Sequence, residues 1–361
     1  MTTATATGDL AVRTPAEIKR ARILGGVYFA IAILVLWVFA LGSEGDAIFR
    51  LGSNDTRWFN EIDLTVPASP FGYFVAIVFA FLGGVQIARG MGKWTNVVLA
   101  LALMLFVLAF LGWAAAGKSF SLVGMLKIAV TSGVPIAFGA LSGVMCERVA
   151  VINIGIEGML LTGAFVAAIV GSAVNGWVAL IAAALAGGVL ALALAVLAIK
   201  YQVDQIIAGV VVNIFALGLT SFLTSQLLVE NPDLNNPSIF RAFKIPILGD
   251  IPLLGPILFN HNIIVYALFV LVAAMTYGLY NTRWGLRSRA VGEHPKAADT
   301  LGVNVLRFRY VNVTLGGMIA GFGGAFWTVG FTGAFNENMT GGRGFIGLAA
   351  MIFGRWHPVG A

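Results

Sequence analysis

Residues 149–174 read VAVINIGIEGMLLTGAFVAAIVGSAV, and only Asn153, Glu157 and Thr162 interrupt an otherwise apolar or Gly/Ser run. About 20 apolar residues cross the hydrocarbon core of a bilayer, so the stretch predicts a transmembrane helix. It also carries a carboxylate and an amide into or beside hydrocarbon. Such groups are costly there and by default mark a functional pathway. Gly155 and Gly158 bracket the carboxylate, and they predict a break at which backbone groups become available to a ligand. The stretch says membrane, and its polar interruption points to transport.

The composition agrees. Hydrophobic residues make up 59% of the chain, charged residues 11%, and the mean hydropathy is +0.93. Soluble domains carry roughly 25% charged residues, so a charged surface cannot cover this chain. Its 361 residues, 45 of them glycine, read as one polytopic bundle of closely packed membrane helices. The single cysteine, Cys146, excludes an internal disulfide and a Cys-based zinc site. His261, His294 and His357 lie far apart with no metal-ligand spacing. The net charge of +6 raises nucleic acid as a partner, but the distribution of charge argues against it.

Ten apolar segments follow one another: 23–41, 70–87, 94–116, 128–145, 149–174, 177–199, 206–229, 263–280, 310–331 and 345–353. The last is short enough for half a span or a re-entrant piece. The predicted fold is therefore all-α, a transmembrane helical bundle of about ten apolar segments. Residues 1–22 are polar, lack a signal-peptide pattern and read as a cytoplasmic tail. With that terminus inside and the segments alternating, 15 of the 22 Lys and Arg fall on the cytoplasmic side and 7 outside, as the positive-inside rule requires. The outer loop 230–262 holds prolines 232, 237, 246, 252 and 256, which argue against a long helix. The inner loop 281–309 holds six cations and two acids. Within it, Pro295 suits a first helical turn and Gly302 a helix end. This predicts a two-turn helix over 295–301, too short to be stable unless docked on something.

Two patterns imitate nucleotide sites. GWAAAGKS (112–119) matches the phosphate-loop spacing but follows an apolar helix rather than a strand. GRGFIG (342–347) matches G-x-G-x-x-G, also without a preceding strand. Gly139–Gly143 and Gly317–Gly321 match G-x-x-x-G, a signal for tight helix packing. No nucleophile–base pair or Ser/His/Asp constellation is readable.

Four collinear stretches carry a resemblance. They are GALSGVMCERVAVINIGIEGMLLTGAF (139–165), DQIIAGVVVN (204–213), GLRSRAVGEHPKAADTLGVNV (285–305) and ENMTGGRGFIGLAAMIFGRWHPVGA (337–361). From Leu122 onward the chain resembles the inner-membrane permease subunits of ABC importers in the ribose, simple-sugar and nucleoside branch, the nucleoside permeases most of all. Asp204 and His294 stand where the family more often has Asn. The resemblance implies a permease domain over 122–361, incomplete at its C-terminal end, preceded by extra membrane spans over 23–116. It implies a transport subunit without catalytic residues or a cofactor of its own, in the plasma (inner) membrane and in contact with its lipid. Its expected partners are an ABC ATPase subunit carrying ATP and magnesium, a second permease subunit, and an extracytoplasmic substrate-binding protein. It implies no nucleic acid. The stretch 285–305 is similar to the coupling segment, so Pro295, Ala297, Ala298 and Leu301 are expected to meet the ATPase, and Arg287 and Arg289 to meet its acidic groups or lipid phosphates.

Asn153, Glu157 and Asn213 are the candidate substrate-path residues, because hydroxyl-rich sugars need such groups. Each also has a plainer reading. Glu157 suits the first turn of a helix, and the two amides suit hydrogen bonds between spans. Arg287 and Arg289 equally serve to set topology, and Arg343 suits a loop anchor better than a ligand. A self-contained secondary transporter is the alternative mechanism, although Glu157 is its only clear midspan carboxylate.

Overall fold

A computed structural model describes residues 15–51 and 63–361. The chain divides into two compact units, Met1–Met125 and Leu126–Ala361. The first fourteen residues of the expected tail lie outside the described residues, and Pro15–Arg22 already belong to a helix.

The first unit holds α1 (Pro15–Leu34), α2 (Ala68–Ala88) and α3 (Thr95–Ala114). Tyr28, Val35, Phe39, Val75 and Phe79 form its core. A small sheet that the sequence did not predict joins β1 (Asp46–Arg50), β2 (Asp63–Pro67) and β3 (Ser119–Ser121) in the order β2-β1-β3. β1 runs antiparallel to β2, with Ile48 opposite Thr65, and parallel to β3, with Phe49 opposite Phe120. The GWAAAGKS stretch closes α3 and leads into β3, the reverse of the strand-to-helix order of a phosphate loop.

The second unit is built from α4 (Leu122–Glu147, its first turn at the unit boundary), α5 (Ile156–Ala173), α6 (Gly176–Ala195) and α7 (Gln205–Leu223). There follow β4 (Phe243–Lys244), α8 (Leu254–Leu258), β5 (Asn260–His261), α9 (Ile263–Asn281), α10 (Arg283–Glu293), α11 (Pro295–Thr300), α12 (Val305–Trp327) and α13 (Arg343–Phe353). Among the described residues, nine helices are long and apolar enough to cross a membrane. The tenth apolar segment is α13, 11 residues or about 17 Å, roughly half of a bilayer core.

Small residues set the closest contacts. A Cβ on Gly187 of α6 would stand 2.3 Å from the Gly317 carbonyl oxygen of α12, and one on Gly321 would stand 2.2 Å from the Ala183 carbonyl oxygen. The Gly317–Gly321 pattern is thus a real packing face, which lets two backbones touch without a polar glue.

The second unit has two distinct ends. At one, Arg148 donates to the Trp356 carbonyl and to Tyr280 Oη, and Gly292 of α10 lies against the Arg148 backbone. At the other, the proline-rich loop is fastened down: Phe240 N–H donates to the Val329 carbonyl, Asn262 to the Gly330 carbonyl, and Asn235 exchanges two hydrogen bonds with the Phe335 backbone. The loop's longest helix is α8, five residues. Loop 230–262 and the cationic loop 281–309 thus sit at opposite ends, the relative sidedness that the charge pattern predicts.

Candidate functional site

The deciding stretch is not one helix. α4 ends at Glu147, and Ala150 takes a left-handed turn at φ +55°. The chain then re-enters the bundle without helical structure until Gly155, the N-cap of α5. The predicted break is therefore present at Gly155. Gly158 lies one turn inside α5, where a Cβ would stand 2.9 Å from the Ala216 side chain of α7; it serves close packing, not a second break. Gly139 and Gly143 of α4 face Ile156. They precede Glu147 by two and one turns, so α5 starts roughly 6–12 Å inside the end of α4.

A broken helix exposes backbone groups that must be satisfied inside the membrane. Asn213 of α7 does this at both edges of the break. Its Nδ2 donates to the Ile154 carbonyl at 2.9 Å, and its Oδ1 accepts the Gly158 N–H at 2.8 Å. Gln205, at the start of α7, accepts the Ile152 N–H through Oε1 at 2.7 Å. Sequence reasoning singled out Asn213 and passed over Gln205, though both stand in the same matched stretch.

Glu157 occupies the first turn of α5, as its plainer reading held. It also does something that the sequence did not reveal. Its Oε1 accepts the Gly342 N–H at 2.7 Å and its Oε2 the Gly344 N–H at 2.6 Å. These donors open α13, so a carboxylate from the first turn of α5 closes the N-terminus of the half-length helix α13. The GRGFIG pattern is thus an anion-binding helix start whose anion belongs to the chain itself.

Asn153 lies in the non-helical segment that precedes α5. It is fully buried, with Nδ2 3.5 Å from Cys146 Sγ and from Met159 Sδ. Its side chain is turned into the core because the re-entrant segment packs between α4 and α5. Glu157 and Asn213 are half-exposed. Arg343 is held as a loop anchor, donating to the Met339 and Thr340 carbonyls with its guanidinium over the Trp327 ring.

At the cationic end, Thr282 Oγ1 caps α10 by accepting the Gly285 N–H, and His294 Nδ1 caps α11 by accepting the Ala297 N–H. Pro295 fills the first turn of α11, and Gly302, at φ +78°, follows its end. α10 itself was not foreseen. Ala298 is only 3% exposed and packs with Val149, Val151 and Val291. It therefore corrects the expectation that it meets the ATPase: it fastens α11 to its own chain. Ala297 is exposed and Leu301 is 84% exposed. Arg287 is exposed, whereas Arg289 is half-buried over the Tyr280 ring.

Residues 124–361 match the family described as branched-chain amino acid transport system, permease component. The chain is 40% identical over 238 residues to the guanosine ABC transporter permease protein NupQ of Bacillus subtilis, covering 63% of this chain and 74% of that one. It is 36% identical over 253 residues to the nucleoside ABC transporter permease protein NupC of Lactococcus lactis, covering 67% and 80%. It is 34% identical over 241 residues to the putative glucose ABC transporter permease protein TsgC13 of Haloferax volcanii, covering 65% and 71%. No solved structure matches. Family membership implies an ATPase and a substrate-binding protein as partners and indicates a role as a transport component. With nine helices able to span a membrane among its described residues and two thirds of its length matched, the chain belongs to this permease family and is a multi-pass membrane subunit of an ABC importer.

Proposed function

We propose that the chain forms, with a second permease subunit, the translocation path of a nucleoside importer. Its similarity to two permeases named for nucleosides or guanosine carries this reading. The geometry supports a path at the half-exposed side chains of Glu157 and Asn213, where the starts of α5 and α13 meet. Irregular backbone at membrane depth is tolerated where it lies within protein or lines a cavity, and half-helix starts are common at transporter binding sites. The end bearing Arg148, α10 and α11 faces the cytoplasm, because within the second unit it gathers Arg148, Arg283, Arg287, Arg289, Lys296, Arg307 and Arg309, against Arg241 and Lys244 in loop 230–262. There α11 presents Ala297 and Leu301 to an ATPase that holds the ATP and magnesium. The substrate-binding protein docks at the opposite end, on the side of loop 230–262.

The test is uptake of radiolabelled guanosine and adenosine by cells that lack other nucleoside transport, with the cognate ATPase and binding protein co-expressed. Saturable uptake that unlabelled nucleosides displace, and that a hydrolysis-dead ATPase abolishes, is the expected result. Displacement by glucose or ribose but not by nucleosides would move the substrate to simple sugars. Uptake indifferent to the ATPase would favour a secondary transporter.

A further inference from the structure

We propose that the second unit carries a binding site for an anionic phospholipid of the cytoplasmic leaflet, with an acyl chain in a groove beside α9 and the phosphate on Arg283 and Arg287. The groove has a volume of about 420 Å³ and is lined by α4, α6, α9 and α12. Its lining is hydrocarbon and thioether apart from the indole of Trp284: Phe138, Met145, Leu271, Met275, Met318 and Phe322 are among its walls. Along α9 it reaches from Ala267 to Met275, eight residues or about 12 Å, so it runs with the span. No polar group within it would hold a nucleoside or a water column.

The groove ends at Trp284, on the first turn of α10, at the end of the unit that holds Arg148 and Trp356. A tryptophan at such a place marks the membrane interface. Arg287 follows Trp284 by three residues and Arg283 by four, so it neighbours each of them on the surface of α10. Both arginines are exposed, and neither side chain makes an ion pair or hydrogen bond among the described residues. Arg148 and Arg289, by contrast, are engaged with Tyr280. An apolar groove whose interfacial mouth carries two unengaged guanidinium groups is complementary to one occupant, a phospholipid with a negative headgroup. Basic pockets of this kind on the cytoplasmic side favour anionic lipid. This assignment rests on the cytoplasmic placement of α10, and it is independent of what the importer carries.

The experiment is native mass spectrometry of the full chain after exchange into detergent, titrated with phosphatidylglycerol and, separately, with phosphatidylcholine. Wild type should bind phosphatidylglycerol in preference. Each guanidinium near the surface is worth about fivefold in affinity, so Arg283→Ala with Arg287→Ala should weaken phosphatidylglycerol about thirtyfold and phosphatidylcholine, whose own choline balances its phosphate, far less. Leu271→Trp, which fills the groove, should weaken both lipids. Should that variant fail to fold by thermal melting, Ala274→Leu replaces it. Equal binding of the two lipids by wild type, or undiminished phosphatidylglycerol in the double arginine variant or the filled groove, would overturn the site. So would a disulfide between two copies of an Ala274→Cys variant in membranes, since a second permease would then cover the groove.

Discussion

Glu157 and Gly344 are 187 residues apart in the chain and 2.6 Å apart in the structure, carboxylate Oε2 to backbone N–H. With Gly342, the contact places a negative charge at the partially positive start of α13. It leaves no room for a larger residue: a Cβ on Gly344 would stand 2.7 Å from the Glu157 backbone. The start of α5 and the half-length α13 are thereby tied together inside the bundle.

Glu157→Ala should loosen this tie. Two N–H donors lose a charged acceptor where water is scarce, a loss of about 3 kcal/mol. We expect a clear drop in melting temperature and in the folded yield from membranes. Glu157→Gln keeps one acceptor oxygen and should recover about half of the loss. Thermal melting of the purified chain separates this role from a direct contact with substrate. A Gln variant of normal stability that no longer supports uptake would place the charge on the path.

Asn213 gives a sharper test because its two bonds have opposite polarity. Asn213→Asp preserves shape and the acceptor toward Gly158, yet it sets a carboxylate oxygen against the Ile154 carbonyl. We expect it to destabilise by about 2 kcal/mol, at least as much as Asn213→Ala. If Asp is the milder substitution in thermal melting, the bond to Ile154 is not what holds the break.

How much of this was legible follows from the range of each interaction. The spans were readable because burial in lipid imposes a one-dimensional pattern: the segment predicted at 263–280 is α9, Ile263–Asn281, and the one at 206–229 begins one residue after the start of α7. The break at Gly155 was readable from local glycines. The Glu157–Gly344 tie was not, because it joins positions far apart whose only local marks are a carboxylate and a glycine pattern resembling a nucleotide motif. The inward turn of Ala298 escaped for another reason. On a helix of six residues, one alanine looks like the next, and only the placement of α11 against Val149 and Val291 decides which faces in. The small sheet of the first unit escaped because its strands are only five, five and three residues long, too short for their alternation to stand out from a loop.

His261 should make the end that bears loop 230–262 sensitive to acid. It lies in β5, outside the spans, buried, with Nε2 donating to the Ile257 carbonyl at 2.7 Å. Burial pushes its imidazole below the usual histidine range, against the bond to Ile257, and Lys127 adds to the effect. A histidine depressed in the folded state contributes its full stability above about pH 6.5, the unfolded value. That contribution is lost as pH falls, because the unfolded chain takes up a proton that the native loop resists. Melting temperature measured from pH 7.5 to 5 should therefore fall more steeply in wild type than in His261→Gln. Parallel curves would remove His261 from the account.

The coupling reading now rests on two neighbours that face opposite ways. Leu301 projects from the end of α11, 84% exposed, while Ala298, one turn earlier, is 3% exposed in the core. If α11 docks on an ATPase, Leu301 is its apolar contact, and Leu301→Asp should weaken ATPase stimulation by the loaded binding protein without altering the melting temperature of the isolated chain. Ala297→Trp should act the same way, since Ala297 is also exposed. Ala298→Leu should do the reverse: overpacking costs about 1–3 kcal/mol, so melting falls first and stimulation follows only through lost protein. Reconstituted membranes with the ATPase, the chain and its binding protein report both quantities. Full stimulation and uptake in Leu301→Asp and Ala297→Trp together would mean that α11 is a cytoplasmic strap of the permease and that the ATPase grips another surface.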